Sequence, residues 1–330
     1  MGLRRTIRNL RSRLVRSTFR AADFDGTMPL LWSKGIARLC DVRGPEDYWL
    51  APTESVRDAA FFRAYYTDAH GLVWLRLGTR TRYGEENDID HFVESALPTV
   101  KRPFVLITTD GDEAVPSGLC PATVAALLAS PFLRAWYTQN HDGSGGPKVR
   151  PFPIGLDLHT PRPFSSPGAL QRDLDAIAAA RPLPTKQALR VFCDLGVNPN
   201  SEIRREALNI LAGCPHIDFQ IGRVGQRAIW RRYAAAPFVL SLAGNGLDCH
   251  RTWEALYLGS IVVTKSSSLD PLYAGLPVAI VENVTDLLDS GNLDRWRREL
   301  APLADPQRIR RHLDPRNWTA RIRSNHLSGE

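Results

Sequence analysis

Arg251 and Glu254 stand one helical turn apart, directly after a turn that reads Gly244-Asn245-Gly246-Leu247-Asp248-Cys249-His250. Each residue type there has a chemical use. Two glycines let backbone come close to a bound group. Asp248 is placed to cap the helix that follows, and the unpaired N–H groups and dipole of a helix start favour an anion. Arg251 offers a planar, permanently charged fork that fits phosphate oxygens. Glu254 lies on the same helix face and can accept two hydrogen bonds from a vicinal diol such as ribose. Phosphate and ribose together describe a nucleotide. The same two side chains can equally form an exposed helical ion pair worth a few tenths of a kcal/mol, and local spacing alone does not choose between the readings.

The surrounding pattern says what positions this stretch. From residue 188 the chain alternates apolar runs with amphipathic segments: Ala188–Leu195 as a strand, a helix capped by Asn200 or Ser201 and stopped at Gly213, a strand at Ile217–Gly222, a helix at Gln226–Ala236, and a strand at Pro237–Gly244. The short helix with Arg251 follows, then strands at Ser260–Thr264 and Pro277–Asn283 and a helical stretch to Leu300. Continuous apolar strands separated by helices predict a parallel sheet covered on both faces. Such sheets bind ligands at the carboxyl ends of their strands, which is where Gly244 falls. The N-terminal half is less regular. Gly71–Leu77 and Phe104–Thr108 read as strands, and Pro121–Ala129 as a helix ending before Pro131. Prolines 153, 161, 163, 167, 182 and 184 mark residues 160–186 as the connection between the halves. The expected architecture is α/β: a basic tail (1–21), an N-terminal domain (22–185) and a C-terminal Rossmann-like domain with a helical tail (186–330).

The segment Arg251-Thr252-Trp253-Glu254-Ala255-Leu256, followed by Gly259 and the apolar run Ser260–Thr264, resembles the donor-binding segment of GT-B glycosyltransferases, in particular the exostosin-like group. The likeness is specific over residues 245–285 and architectural over 186–325. It implies two Rossmann-like domains facing a cleft, transfer of a sugar from a nucleotide-sugar donor to a glycan or similar hydroxyl acceptor, and no cofactor or metal. It also implies that Arg251 meets the donor diphosphate and Glu254 its ribose, with Lys265, Ser266 and Ser267 beside the sugar. The donor-side set is then Gly244, Asn245, Gly246, Asp248, His250, Arg251, Glu254, Lys265, Ser266, Ser267 and, from the first helix of the domain, Arg204. The base of the nucleotide depends on backbone contacts in the loop Ile221–Arg227.

Transfer from a nucleotide sugar builds negative charge on the leaving diphosphate, which cationic side chains and helix N-termini must offset. The acceptor hydroxyl needs a base, and in a two-domain cleft it comes from the N-terminal half. Asp110 and Asp112, at the end of a strand, are the candidates, although Asp and Gly also suit a plain surface turn. Asn140, His141, Asp157 and His159 are candidates for acceptor contact, with His159 a possible base. Arg76, Arg80 and Arg82 can meet an acidic acceptor. Asp110-Gly111-Asp112 also spells the Asp-x-Asp pattern with which GT-A transferases hold Mn²⁺. That gives the alternative of a metal-dependent enzyme, and a further alternative is a nucleotide-sugar-binding or membrane-surface protein without transfer activity.

Composition sets the outer bounds. The 43% hydrophobic content over 330 residues supports two cores. The net charge of +7 is carried entirely by seven arginines within residues 1–20, where no acid occurs. The body is balanced, which argues against specific nucleic-acid recognition. Leu3, Ile7, Leu10 and Leu14 form an apolar stripe among those arginines, a pattern suited to an anionic membrane surface. Five scattered cysteines without CxxC spacing suit a reducing compartment. The expectation is a cytoplasmic enzyme, peripheral at the inner membrane surface, acting on a glycan or lipid-linked acceptor.

Overall fold

In a computed structural model the described residues are 29–78, 86–181, 188–195 and 201–327. The basic tail, Arg80, Arg82, Asn200, Pro182 and Pro184 lie outside them.

Two parallel sheets form the frame. The first has the order β1 (Gly71–Gly78), β2 (Phe104–Gly111), β3 (Leu133–Thr138), β4 (Val149–Pro151). Its central strand β2 is buried along its whole length, as expected for a strand covered on both faces. Helices α1 (Ala59–Tyr66), α2 (Asp88–Ser95) and α3 (Pro121–Ala129) accompany it. Helix α2 starts with a reciprocal capping box between Asn87 and Asp90.

The connection between the halves is not plain linker. Pro167 opens a 13-residue helix, α4 (Pro167–Ala179), whose first turn is capped by the Ser166 hydroxyl. Proline at the first helical position lacks only an N–H that would be unpaired anyway. A proline count therefore read as loop what is partly a helix start.

The second sheet comprises β5 (Val191–Cys193), β6 (Ile217–Phe219), β7 (Phe238–Leu240), β8 (Ile261–Lys265) and β9 (Val278–Val281), in the order β6-β5-β7-β8-β9. Side chains alternate strictly across it. Val191, Cys193, Phe238, Leu240, Ile261 and Val263 share one core with helices α5 (Glu202–Leu211) and α8 (Ser290–Leu300). Phe192, Val239 and Val262 point the other way, into a core shared with α6 (Gln226–Ala235), α7 (His250–Tyr257) and the N-terminal half. Both halves are thus Rossmann-like α/β layers.

The chain then returns. After α9 (Pro306–His312), helix α10 (Pro315–His326) packs on the N-terminal half. Leu31 N–H donates to Leu313 O at 2.7 Å, Phe152 and Trp318 meet edge-to-face at 5.1 Å, and Arg323 pairs with Asp41 at 2.9 Å.

Candidate functional site

Strand order decides where the site lies. In the second sheet, β5 has the next strand in sequence, β6, on one side and β7 on the other, so the winding reverses between β5 and β7. A reversal splays the two connections apart and leaves a crevice at the strands' carboxyl ends. Asp194 stands at the end of β5, and the Ala243–Cys249 turn follows β7. A cavity of about 290 Å³ opens there, lined among others by Asp194, Arg223, Gln226, Arg251 and Glu254, and by Asp157 from the other half.

The first sheet aims its strand ends at the same crevice. Asn245 Nδ2 lies 3.4 Å from Asp112 Oδ2, after β2. Asn140, after β3, accepts from the Asp248 N–H at 2.9 Å and donates to Gly111 O at 3.0 Å. The Ser268 hydroxyl donates to His141 O at 2.5 Å. After β4, Ile154 N–H donates to Asp248 Oδ2 at 2.7 Å, and Asp157 N–H to Glu254 Oε1 at 3.3 Å. The halves face each other across a cleft.

Arg251 pairs with Asp194 at 2.5 Å, and the Tyr233 hydroxyl donates to the other Asp194 oxygen at 2.8 Å. Burial opposes the guanidinium's charge, but Asp194 outweighs it and holds the pKa above its ordinary value. Nη1 of Arg251 is buried with no hydrogen-bond partner among the described residues. An unmatched charged donor beside a cavity is a ready contact for an anion. Glu254, only 3% exposed, accepts from Gln226 Nε2 at 3.2 Å as well as from Asp157 N–H. Burial first and Asp157 second push its pKa up to about 8. Arg251 and Glu254 are therefore not partners of each other; both face the cavity.

Asp248, Gly244, Gly246 and Arg204 take other roles. Asp248 does not cap α7: Cys249 occupies the cap position without a side-chain bond. The Asp248 carboxylate is buried and accepts from the Ile154 and Cys249 N–H groups and from Trp253 Nε1, with a pKa raised by burial to about 7. It holds the crossing between the halves. The Gly244 amide donates to Gly246 O at 2.9 Å, so it is committed within the turn. A Cβ on Gly244 would come within 2.5 Å of Arg204, and one on Gly246 within 2.7 Å of Asn140. These glycines make room for protein side chains. Arg204 is buried rather than solvated, donating to Ala243 O at 3.0 Å and Leu242 O at 3.1 Å. It shapes the turn from beneath. Lys265 is exposed at the end of β8, while Ser266 Oγ and Ser267 N–H are both held by Asp270.

On the N-terminal side, Asp110 is buried in a pair with Lys34 and accepts from Thr53 Oγ1 at 2.9 Å. It adopts a left-handed φ of 65°. Both of its oxygens are engaged by protein side chains, and it does not converge with Asp112, which is exposed. Arg76, fully buried, pairs with Asp88 at 2.8 Å and is closed to any acceptor. Asn140 and His141 are buried and tie the halves together instead of lining open cleft.

Asp157, His159 and His250 come together. His250 Nδ1 donates to Gly155 O at 2.8 Å. His159 lies with Nδ1 3.3 Å from Ser33 Oγ and 3.6 Å from Asp157 Oδ1, its ring 5.3 Å from that of His250. Burial lowers the His159 pKa to about 4, against the pull of Asp157. Burial works against ionisation of Asp157, but His159 and then Arg162, at 2.6 Å, hold its carboxyl below the usual range.

Sequence reasoning missed Asp194, Arg162 and Lys34. Asp194 was within reach, since it directly follows the first strand of a parallel half. The other two depend on which loops meet across the cleft. Arg223 and Gln226, from the loop expected to meet the base, do line the cavity.

No protein-family model matches the chain, and no curated protein matches it. Among solved structures it is similar to Anabaena HepE in complex with UDP, at 14% identity over 82% of this chain and 81% of that one, with a TM-score of 0.47. It is similar to OtsA in its apo form at 10% identity, covering 88% and 77%, with a TM-score of 0.46. It is also similar to AviGT4, a glycosyltransferase involved in avilamycin A biosynthesis, at 14% identity, covering 79% and 98%, with a TM-score of 0.31.

Proposed function

We propose that this chain is a nucleotide-sugar-dependent glycosyltransferase of GT-B type. One observation carries the reading: the cavity at the winding reversal is lined together by the buried, incompletely paired Arg251, by Glu254 and by Asp157 of the facing half. In this reading the donor diphosphate meets Arg251 Nη1 at the start of α7, the ribose hydroxyls donate to Glu254, and the base lies against Arg223 and Val224.

The acceptor hydroxyl attacks the anomeric carbon while the bond to the diphosphate oxygen breaks. The electron pair passes to the diphosphate, where Arg251 offsets the charge, so the reading needs no metal on the diphosphate. Removing one such donor typically slows turnover about 10²–10³-fold. Asp112, exposed opposite Asn245, receives the acceptor proton; Asp110, held by Lys34, does not. That arrangement also separates this reading from the Asp-x-Asp alternative, which needs both carboxylates on one cation. The acceptor is a glycan or lipid-linked glycan. Residues 1–20 hold the enzyme at an anionic inner-membrane surface, from the cytoplasmic side. Among the described residues no helix is long and apolar enough to cross a membrane.

Calorimetric titration with UDP, GDP and other nucleotides tests the donor site. The expected result is saturable binding of one nucleotide class that Glu254→Ala weakens; unchanged affinity in that variant removes Glu254 from the site. Asp112→Asn should abolish turnover and leave nucleotide affinity intact, whereas a binding protein without transfer shows no turnover to lose. Co-sedimentation with vesicles containing anionic lipid, with and without residues 1–20, tests the membrane contact.

A further inference from the structure

We propose that Asp157, His159 and His250 form a binding site for a divalent transition-metal cation of the zinc class, pinning the two halves together at the cleft. Asp157 and His159 are two residues apart, His250 is remote in sequence, and each offers a donor atom within 4.8 Å of the others. Asp157 and His159 come from the loop after β4, and His250 is the first residue of α7.

Their outer contacts are those that metal ligands need. A ligating imidazole ordinarily donates its other N–H to a carbonyl or carboxylate, which fixes the ring and turns the free lone pair toward the ion. His250 Nδ1 donates to Gly155 O at 2.8 Å, and His159 Nδ1 faces Ser33 Oγ at 3.3 Å. Neither Nε2 makes a hydrogen bond among the described residues, neither is an orphaned buried atom, and Asp157 and His250 line the cleft cavity. Arg162 binds Asp157 Oδ2 at 2.6 Å, and Thr160 N–H donates to Oδ1 at 3.0 Å, which orients the carboxylate and leaves Oδ1 a lone pair for a cation. Two imidazoles and one carboxylate favour zinc or cobalt over magnesium or calcium, which take oxygen ligands. Ligand atoms around a tetrahedral zinc sit about 3.4 Å apart, within the 4.8 Å bound that the three donor atoms already meet. Three protein ligands leave a fourth position open to water or to a hydroxyl in the cleft.

The test uses the full chain, stripped with chelator and titrated with Co²⁺ and Zn²⁺ in the absence of nucleotide, so that its outcome is separate from that of the nucleotide titrations. One equivalent of Co²⁺ should bind with a visible ligand-field band. His159→Ala and His250→Ala should each weaken binding about tenfold or more. His91→Ala, in the surface group of Glu86, His91 and Glu94, should leave it unchanged. Circular dichroism identifies a variant that has lost its fold, in which case the other variant decides. The proposal is overturned by absence of saturable binding, by loss of binding in His91→Ala, or by wild-type affinity in either folded triad variant.

Discussion

Each half of the molecule carries a buried cation–carboxylate pair near the carboxyl ends of its strands, and the two differ in how completely they are satisfied. In the N-terminal half, Lys34 donates to Asp110 and to Ala51 O at 2.7 Å, while Asp110 also receives Thr53 Oγ1. In the C-terminal half, Arg251 binds Asp194 and keeps an unmatched Nη1 beside a cavity. Burial lowers the Lys34 pKa despite its partner, whereas Asp194 outweighs burial at Arg251. A buried pair with no orphaned atom has little left to offer a ligand and serves the fold. A pair with a buried spare charged donor beside a cavity is where a ligand's anion gains most. Residue type does not separate them; completeness of pairing does.

Four substitutions would break or sharpen that contrast. Arg251→Ala should have the largest effect, slowing transfer about 10²–10³-fold, with a smaller loss of nucleotide affinity; steady-state kinetics beside calorimetry separates the two. Lys34→Met leaves Asp110 buried without its cation, and should lower stability by about 3–5 kcal/mol in chemical denaturation. Nucleotide affinity should stay within about twofold, and equal damage to it would erase the distinction between the pairs. Gly246→Ala drives a methyl toward Asn140 and should cost about 1–3 kcal/mol, read as a lowered melting temperature.

The smallest effect concerns Glu254, where the sign follows from its raised pKa. The ionised carboxylate accepts both ribose hydroxyls, so wild-type nucleotide affinity should rise as pH increases through about 8, and Glu254→Gln should flatten that rise. Stability moves the opposite way. The folded state holds the Glu254 proton to about 8 against an ordinary 4.5, so this contribution is full below about 4.5 and lost as pH rises through about 8. Melting temperatures of the wild type and Glu254→Gln across that window check it.

Much of the C-terminal half was legible because its signals are local. Apolar runs separated by amphipathic segments give the strand and helix order, and the carboxyl end of a strand in such a sheet is a ligand position whatever the sequence. Arg251 and Glu254, singled out on that ground, line the cavity. The N-terminal candidates fared differently. Asp110 and Arg76 look in sequence like available charges, yet Lys34 and Asp88 close them from 76 and 12 residues away. The proline-rich connection concealed α4, because proline at a helix start and proline in a loop are the same letter.

Sequence alone determined what depends on neighbours a few residues apart: the parallel α/β order of the C-terminal half, the turn before α7, and the placing of Arg251 and Glu254 on one helical face. Tertiary structure decided what depends on long-range partners: that Gly244 and Gly246 shelter Arg204 and Asn140, that Asp248 joins the halves, and that Asp157, His159 and His250 converge. The physical reason is that helix and strand periodicity is fixed by short-range backbone geometry. The state of a charge, by contrast, is set by burial and by whichever distant group folding brings against it.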